Sequence, residues 1–154
     1  MNKIGLYFSD LINSQAIYEG ISSANNMLDI RKFDFYLFYN NIGLPPVEPL
    51  FGTFHIDAAH NFNGTIIATT VQDAILISKL ASPKRKIFYA YDLEWYGHKA
   101  LPYQLCLNAY RNNKLELWAR SNSHVKALET CFNRAPNGIM KNFEMRSLYE
   151  GQSI

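Results

Sequence analysis

The chain has 154 residues, 48% of them hydrophobic and 18% charged, with 15 basic against 13 acidic side chains and a net charge of +2. That length fits one domain burying about two-thirds of its unfolded surface, and the composition excludes a disordered chain. So even a charge balance argues against a nucleic-acid partner or a membrane-surface patch, and no apolar run of about 18 residues is present to insert into a membrane.

Ile4-Gly5-Leu6-Tyr7-Phe8 is an apolar run that reads as a buried strand. Ser9 or Asp10 stands where a helix cap is expected, ahead of Ile12, Ala16, Ile17, Gly20, Ile21, Ala24, Met27 and Leu28 at helical spacing. Gly20 lowers helix propensity, which points to close packing of this helix on a sheet. Phe33 to Tyr39 is aromatic and strand-like. Asn40 to Pro46 breaks the pattern, because paired prolines feed neither a ladder nor a helix interior. A short strand over Phe51 to Ile56, a turn at Asn61-Phe62-Asn63-Gly64 and a β-branched strand over Thr65 to Thr69 follow.

Thr70, with Asp73 three positions on, matches a helix N-cap followed by an acid in the first turn. The helix through Ala74, Ile75, Leu76, Ile77 and Leu80 is apolar nearly all round, so burial is expected. Strands over Ile87 to Tyr91 and Leu115 to Ala119 alternate with helices over Pro102 to Arg111 and Ser123 to Phe132, and Asn137 to Phe143 reads as a last strand. Such alternation predicts βαβ units. The expected fold is α/β: a Rossmann-like three-layer αβα domain with a mostly parallel sheet over residues 1–143 and a C-terminal tail over 144–154.

In sheets of this kind ligands gather beyond the carboxyl ends of the strands. Ser9 and Asp10 follow the first strand, where they either cap a helix or present a site for an oxyanion or a sugar hydroxyl. Neither G-x-G-x-x-G nor G-x-x-x-x-G-K-[ST] occurs, which disfavours ordinary dinucleotide or NTP binding there. His55, Asp57, His60, Asn61 and Asn63 form a second cluster. It reads either as loop polarity satisfying the backbone or as a base with an orienting carboxylate, Asp57 with His60. Asp92 and Glu94, followed by Trp95, Tyr96 and His98, form the third. Carboxylates accept bonds from hydroxyls, aromatic faces stack on sugar rings, and one carboxylate can serve as a general base; the other reading is a solvated loop with Trp95 packed on the domain. Lys84-Arg85-Lys86 is a solvated strand entrance or a phosphate contact. Cys106 and Cys131 lack the spacing of a metal site or a disulfide framework. With no apolar segment of signal-peptide type near the start, a cytoplasmic protein is expected.

The opening Lys3-Ile4-Gly5-Leu6-Tyr7-Phe8, the helix-strand element Asp73 to Tyr91, and the closing Trp118-Ala119-Arg120-Ser121-Asn122-Ser123-His124-Val125 with its Asn137-Gly138 turn resemble the N-terminal, acceptor-side half-domain of GT-B glycosyltransferases. The large retaining family 4 type is the nearest in kind. The likeness spans nearly the whole chain through short, degenerate motifs. Two features depart from it: Ser9-Asp10-Leu11 replaces the family's glycine-rich turn, and the donor-binding half would begin after Phe143. The resemblance implies a single GT-B half that binds a sugar acceptor. Asp92, Glu94 and His60 are its catalytic candidates, Ser9, Asp10, Asn61, Trp95 and Tyr96 its substrate-binding candidates, and no metal or cofactor is expected. It further implies self-association or a separate donor-binding subunit docked on an aromatic edge of Tyr91, Trp95 and Tyr96. The alternatives are a non-catalytic protein-binding or structural module derived from such a domain, and a small nucleotide-sensing protein.

Overall fold

The computed structural model describes residues 1–96 and 100–150; His98 and the last four residues lie outside them. Among the described residues seven strands form: β1 (Asn2–Leu11), β2 (Phe33–Ile42), β3 (Gly52–His55), β4 (Thr65–Ala68), β5 (Arg85–Ala90), β6 (Glu116–Ala119) and β7 (Gly138–Ile139). Four α-helices accompany them: α1 (Gln15–Asn26), α2 (Val71–Ser78), α3 (Tyr103–Tyr110) and α4 (Asn122–Phe132). Every strand pair is parallel, in the order β3-β2-β1-β4-β5-β6-β7. The domain is therefore the Rossmann-like α/β sandwich expected, and the strand order reverses between β1 and β4.

Strand geometry sends successive side chains to opposite faces, and here both faces are apolar. Ile4, Leu6, Phe8, Ile67, Ile87 and Tyr89 are buried with Ile17, Ile21 and Ala24 of α1. Tyr7, Ile66, Ala68, Phe88 and Ala90 are buried with side chains of α2, α3 and α4. Each Leu, Ile or Phe withdrawn fully from water contributes about 1.5–3 kcal/mol, so the two cores together fix the sheet. Gly20 lets α1 approach closely: a Cβ there would lie 3.2 Å from the rings of both Phe8 and Phe143.

The element ends differ from expectation in ways that matter for the site. β1 does not stop at Phe8. Asp10 and Leu11 continue the ladder against Asn41 and Ile42 of β2, so Ser9 and Asp10 belong to a strand and do not cap α1. Ser14 does, its Oγ accepting from the Ile17 N–H at 3.3 Å. The final strand shrinks to two residues, because Asn142 and Phe143 adopt left-handed backbone (φ 47° and 58°) and turn Phe143 back into the core, edge-on to Tyr89 at 4.9 Å. Within the segment read as a tail, Met145 and Leu148 are buried in the same core as α1. On α2, Leu76 is exposed, so that helix is not buried all round. Among the described residues no helix is long and apolar enough to cross a membrane, and both cysteines are free thiols.

Candidate functional site

The carboxyl ends of β1, β4 and β5 meet at the point where the strand order reverses, the place where a parallel sheet of this kind opens a crevice. A cavity of about 290 Å³ lies there. β1 contributes Ser9 and Asp10, the first turn of α2 contributes Thr70 and Asp73, and the segment leaving β5 contributes Asp92 and Glu94. Ser14 and Ile17 from the start of α1 complete the wall. Each element is placed by the sheet: β1 and β4 are adjacent, with Tyr7 opposite Ala68, and β4 and β5 are adjacent, with Ala68 opposite Phe88.

Local chemistry holds the polar groups in place. Thr70 caps α2, its Oγ1 accepting from the Asp73 N–H at 3.1 Å. Asp73 is only 5% exposed, and its carboxylate accepts from both the hydroxyl and the N–H of Ser9, joining the end of β1 to the start of α2. Glu94 reaches the same helix terminus, where one of its oxygens accepts from the Val71 N–H at 2.7 Å. Asn41 donates to Asp10 at 2.7 Å. Carboxylates at a helix N-terminus are favoured by the orphan N–H groups and the dipole, which explains why acidic side chains collect here despite one another.

Burial dominates the protonation equilibria. It pushes Glu94 up to about 7, opposed by the Val71 N–H bond and reinforced by the charges of Asp92 and Asp73. Burial likewise lifts Asp73 above the usual carboxylate range, with the Ser9 bonds and the Thr70 hydroxyl opposing it and Asp10 adding to it. Behind the site, burial and the Glu94 charge raise Tyr110 well above its ordinary value. Among the described residues the lining carries no Lys, Arg or His. The carboxylates of this arrangement can accept hydrogen bonds from hydroxyls or ammonium groups. Among the described residues no group of three or more His, Cys, Asp or Glu is placed to hold a metal ion.

No family model, curated protein or solved structure matches the chain.

Of the residues singled out from sequence, Ser9, Asp10, Asp92 and Glu94 come together at this cavity. His60 and Asn61 do not. The 3-10 segment Ile56–Asn61 carries the chain from the carboxyl end of β3 back to the amino end of β4. The His60 carbonyl there accepts from Ser82, in the turn before β5, at 2.6 Å. Asp57 pairs with His55 at 3.1 Å, both exposed, and not with His60. The aromatic edge is also different. Tyr91 is 2% exposed, and Trp95 packs edge-on to Tyr110 and Phe132 at 5.0 and 4.7 Å, as in the reading that placed Trp95 on the domain. Tyr96 alone is open, at 80% exposure. Sequence reasoning used Thr70 and Asp73 only as helix-start signals and missed them as site residues. The signal was available, since a carboxylate one turn after a strand adjacent to β1 falls at the switch point.

Proposed function

We propose that the switch-point cavity binds a neutral polyhydroxylated molecule, and that the chain is the acceptor-side half of a glycosyltransferase with Glu94 as general base. The observation that carries this reading is the convergence of Asp10, Asp73, Asp92 and Glu94 with the hydroxyl-bearing Ser9 and Thr70 on one small cavity. Carboxylates in that setting accept bonds from several hydroxyls of one ring. A carboxyl raised to about 7 sits near the pH at which a base is most effective at taking a hydroxyl proton. Asp92, exposed beside it, accepts a second hydroxyl. The donor sugar nucleotide, being anionic, belongs on a donor-binding unit facing this edge. Ile12, Ile42 and Leu44, exposed at the ends of β1 and β2, offer an apolar contact that the buried Tyr91 and Trp95 do not.

Titration of the whole chain with neutral monosaccharides, followed by amide NMR, tests the binding. Saturable shifts are expected at Ser9, Thr70, Asp73 and Glu94. Shifts confined to His60 and Asn61, or none, overturn the site. In the enzyme reconstituted with its donor-binding partner, Glu94→Gln is expected to cut turnover by about 10²–10⁴-fold. Unchanged turnover removes Glu94 as the base.

A further inference from the structure

Beyond Tyr91 and Asp92, the carboxyl ends of β6 and β7 border a second hollow, of about 460 Å³. Its character is opposite to that of the first. Arg120 and Ser121 line it from the β6–α4 connection, Ser123 and His124 from the first turn of α4, and Lys141 and Asn142 from the turn after β7. No carboxylate is among these described lining residues. Arg120 is held in place: its Nη1 donates to the Tyr91 carbonyl at 3.3 Å, and its guanidinium lies 3.9 Å over the Tyr91 ring. That stacking fixes the planar fork and leaves further N–H donors for a ligand. Ser121 and Ser123 share a hydroxyl–hydroxyl bond at 2.9 Å, and the Ser121 Oγ also accepts from the His124 N–H.

A separate observation marks the same place. Among the described residues, three buried side-chain polar atoms have no hydrogen-bond partner: the Tyr91 hydroxyl, His124 Nδ1 and Glu19 Oε2. His124 lines the hollow, and Tyr91, only 2% exposed, lies under Arg120. Glu19 does not line the hollow; it faces Tyr91 from α1. The Tyr91 hydroxyl and the Glu19 carboxylate face each other and account for two of the three, which leaves His124 Nδ1 as the unpartnered atom on the hollow itself.

We propose that this hollow binds the phosphate group of a phosphorylated small molecule, a monoester or a diphosphate. The recognition is chemical. A preorganised guanidinium, an ammonium from a separate chain segment and two hydroxyls converge with no carboxylate among the described lining residues; the nearest acid, Glu19, is turned to the Tyr91 hydroxyl, and the first-turn N–H groups of α4 add to the donors. The size is that of a small-molecule site, within a range of about 300–1,000 Å³. The inference does not rest on the acceptor reading: the two cavities share no lining residue.

The test is titration of the ¹⁵N-labelled whole chain with inorganic pyrophosphate and with phosphate, against chloride at matched ionic strength. Saturable shifts of the Ser121–Val125 and Lys141–Asn142 amides are expected, weakening as salt rises. Lys141 is exposed, so Lys141→Ala should fold normally, its other resonances unmoved, and bind pyrophosphate about tenfold more weakly. Lys141→Glu, or Ser123→Glu as a second variant, should abolish the shifts. Three outcomes overturn the proposal: no saturable shift, shifts centred on Lys3, Lys84 and Arg85 at the other end of the sheet, or wild-type binding by both glutamate variants. Neutral sugars, read at Ser9 and Glu94, report on the first cavity, so one reading can fail while the other stands.

Discussion

Replacing Glu94 by Gln removes a charge that the fold holds unfavourably, and the consequence for stability follows from its environment. The carboxyl rises from its ordinary 4.5 to about 7 on folding, chiefly through burial. A folded-state value above the unfolded one means that the native protein holds this proton where the unfolded chain has released it. Stability therefore falls as pH rises through the window from about 4.5 to about 7, and the full cost is present above it. The ionised form is disfavoured by about 3 kcal/mol on the scale of 1.36 kcal/mol per pH unit, reduced to roughly 2 kcal/mol by the group's residual solvent contact. Gln keeps a carbonyl oxygen for the Val71 N–H that now bonds Glu94 at 2.7 Å. The variant should thus match wild type near pH 4.5 and exceed it by roughly 2 kcal/mol at pH 8, about 4–8 °C in Tm for a domain of this size. Denaturant melts of both proteins across that range measure the difference directly. Asp73 shifts in the same sense, and its repulsion of Glu94 is part of the cost that the Gln variant removes. A pH-independent difference, or a variant less stable at pH 8 than at pH 5 relative to wild type, would refute the burial argument.

Two further outcomes probe the packing around the site. Trp95→Ala should lose about 3–5 kcal/mol in chemical unfolding, because the indole fills the angle between Tyr110 and Phe132, whereas Tyr96→Ala should stay within about 0.5 kcal/mol of wild type; equal effects would return Trp95 to the surface. Gly138→Ala should cost about 1–3 kcal/mol and loosen β7, since a Cβ at that position falls 2.5 Å from the Trp118 ring, and hydrogen exchange at Met140, whose N–H bonds the Ala119 carbonyl, reports it.

The alternation of apolar runs with helical stripes made the layer order legible, because a parallel sheet buried on both faces needs continuous hydrophobic strands. Site residues on strand ends were legible for the same reason: once β1 and β5 are located, Ser9, Asp10, Asp92 and Glu94 are placed by topology. His60 and Asn61 were misjudged because they also follow a predicted strand, and the sequence carries no mark that a 3-10 segment takes them to the amino end before β4 begins. Periodicity also missed the boundary at Leu11. Polar residues such as Ser9 and Asp10 look like a cap until the ladder partner, Asn41, is known. The exposure of Trp95 was beyond reach too, since aromatic side chains after a strand serve a core or a ligand equally well, and α3 and α4 decide between them in space.

What separates the cavity at the switch point from an ordinary loop cluster is that its arrangement runs against stability. A chain selected only to fold would not desolvate Asp73 and crowd Glu94 and Asp92 against it; replacing such groups with neutral ones is a common route to a more stable protein. Here the conflict is built from three sequence-distant segments, β1, the start of α2 and the exit of β5, and the helix N-terminus offsets only part of it. Local rules broken in concert at a topological switch point are expected where a ligand supplies the missing partners. Hydroxyl or ammonium donors in the cavity would relieve the mutual repulsion of Asp73 and Glu94 and lower the Glu94 value on binding. A bound acceptor should therefore release protons near neutral pH, and calorimetric titration in buffers of differing ionisation enthalpy detects that release. Binding of a neutral sugar with no buffer dependence between about pH 6 and 8 would mean that Glu94 does not face the ligand.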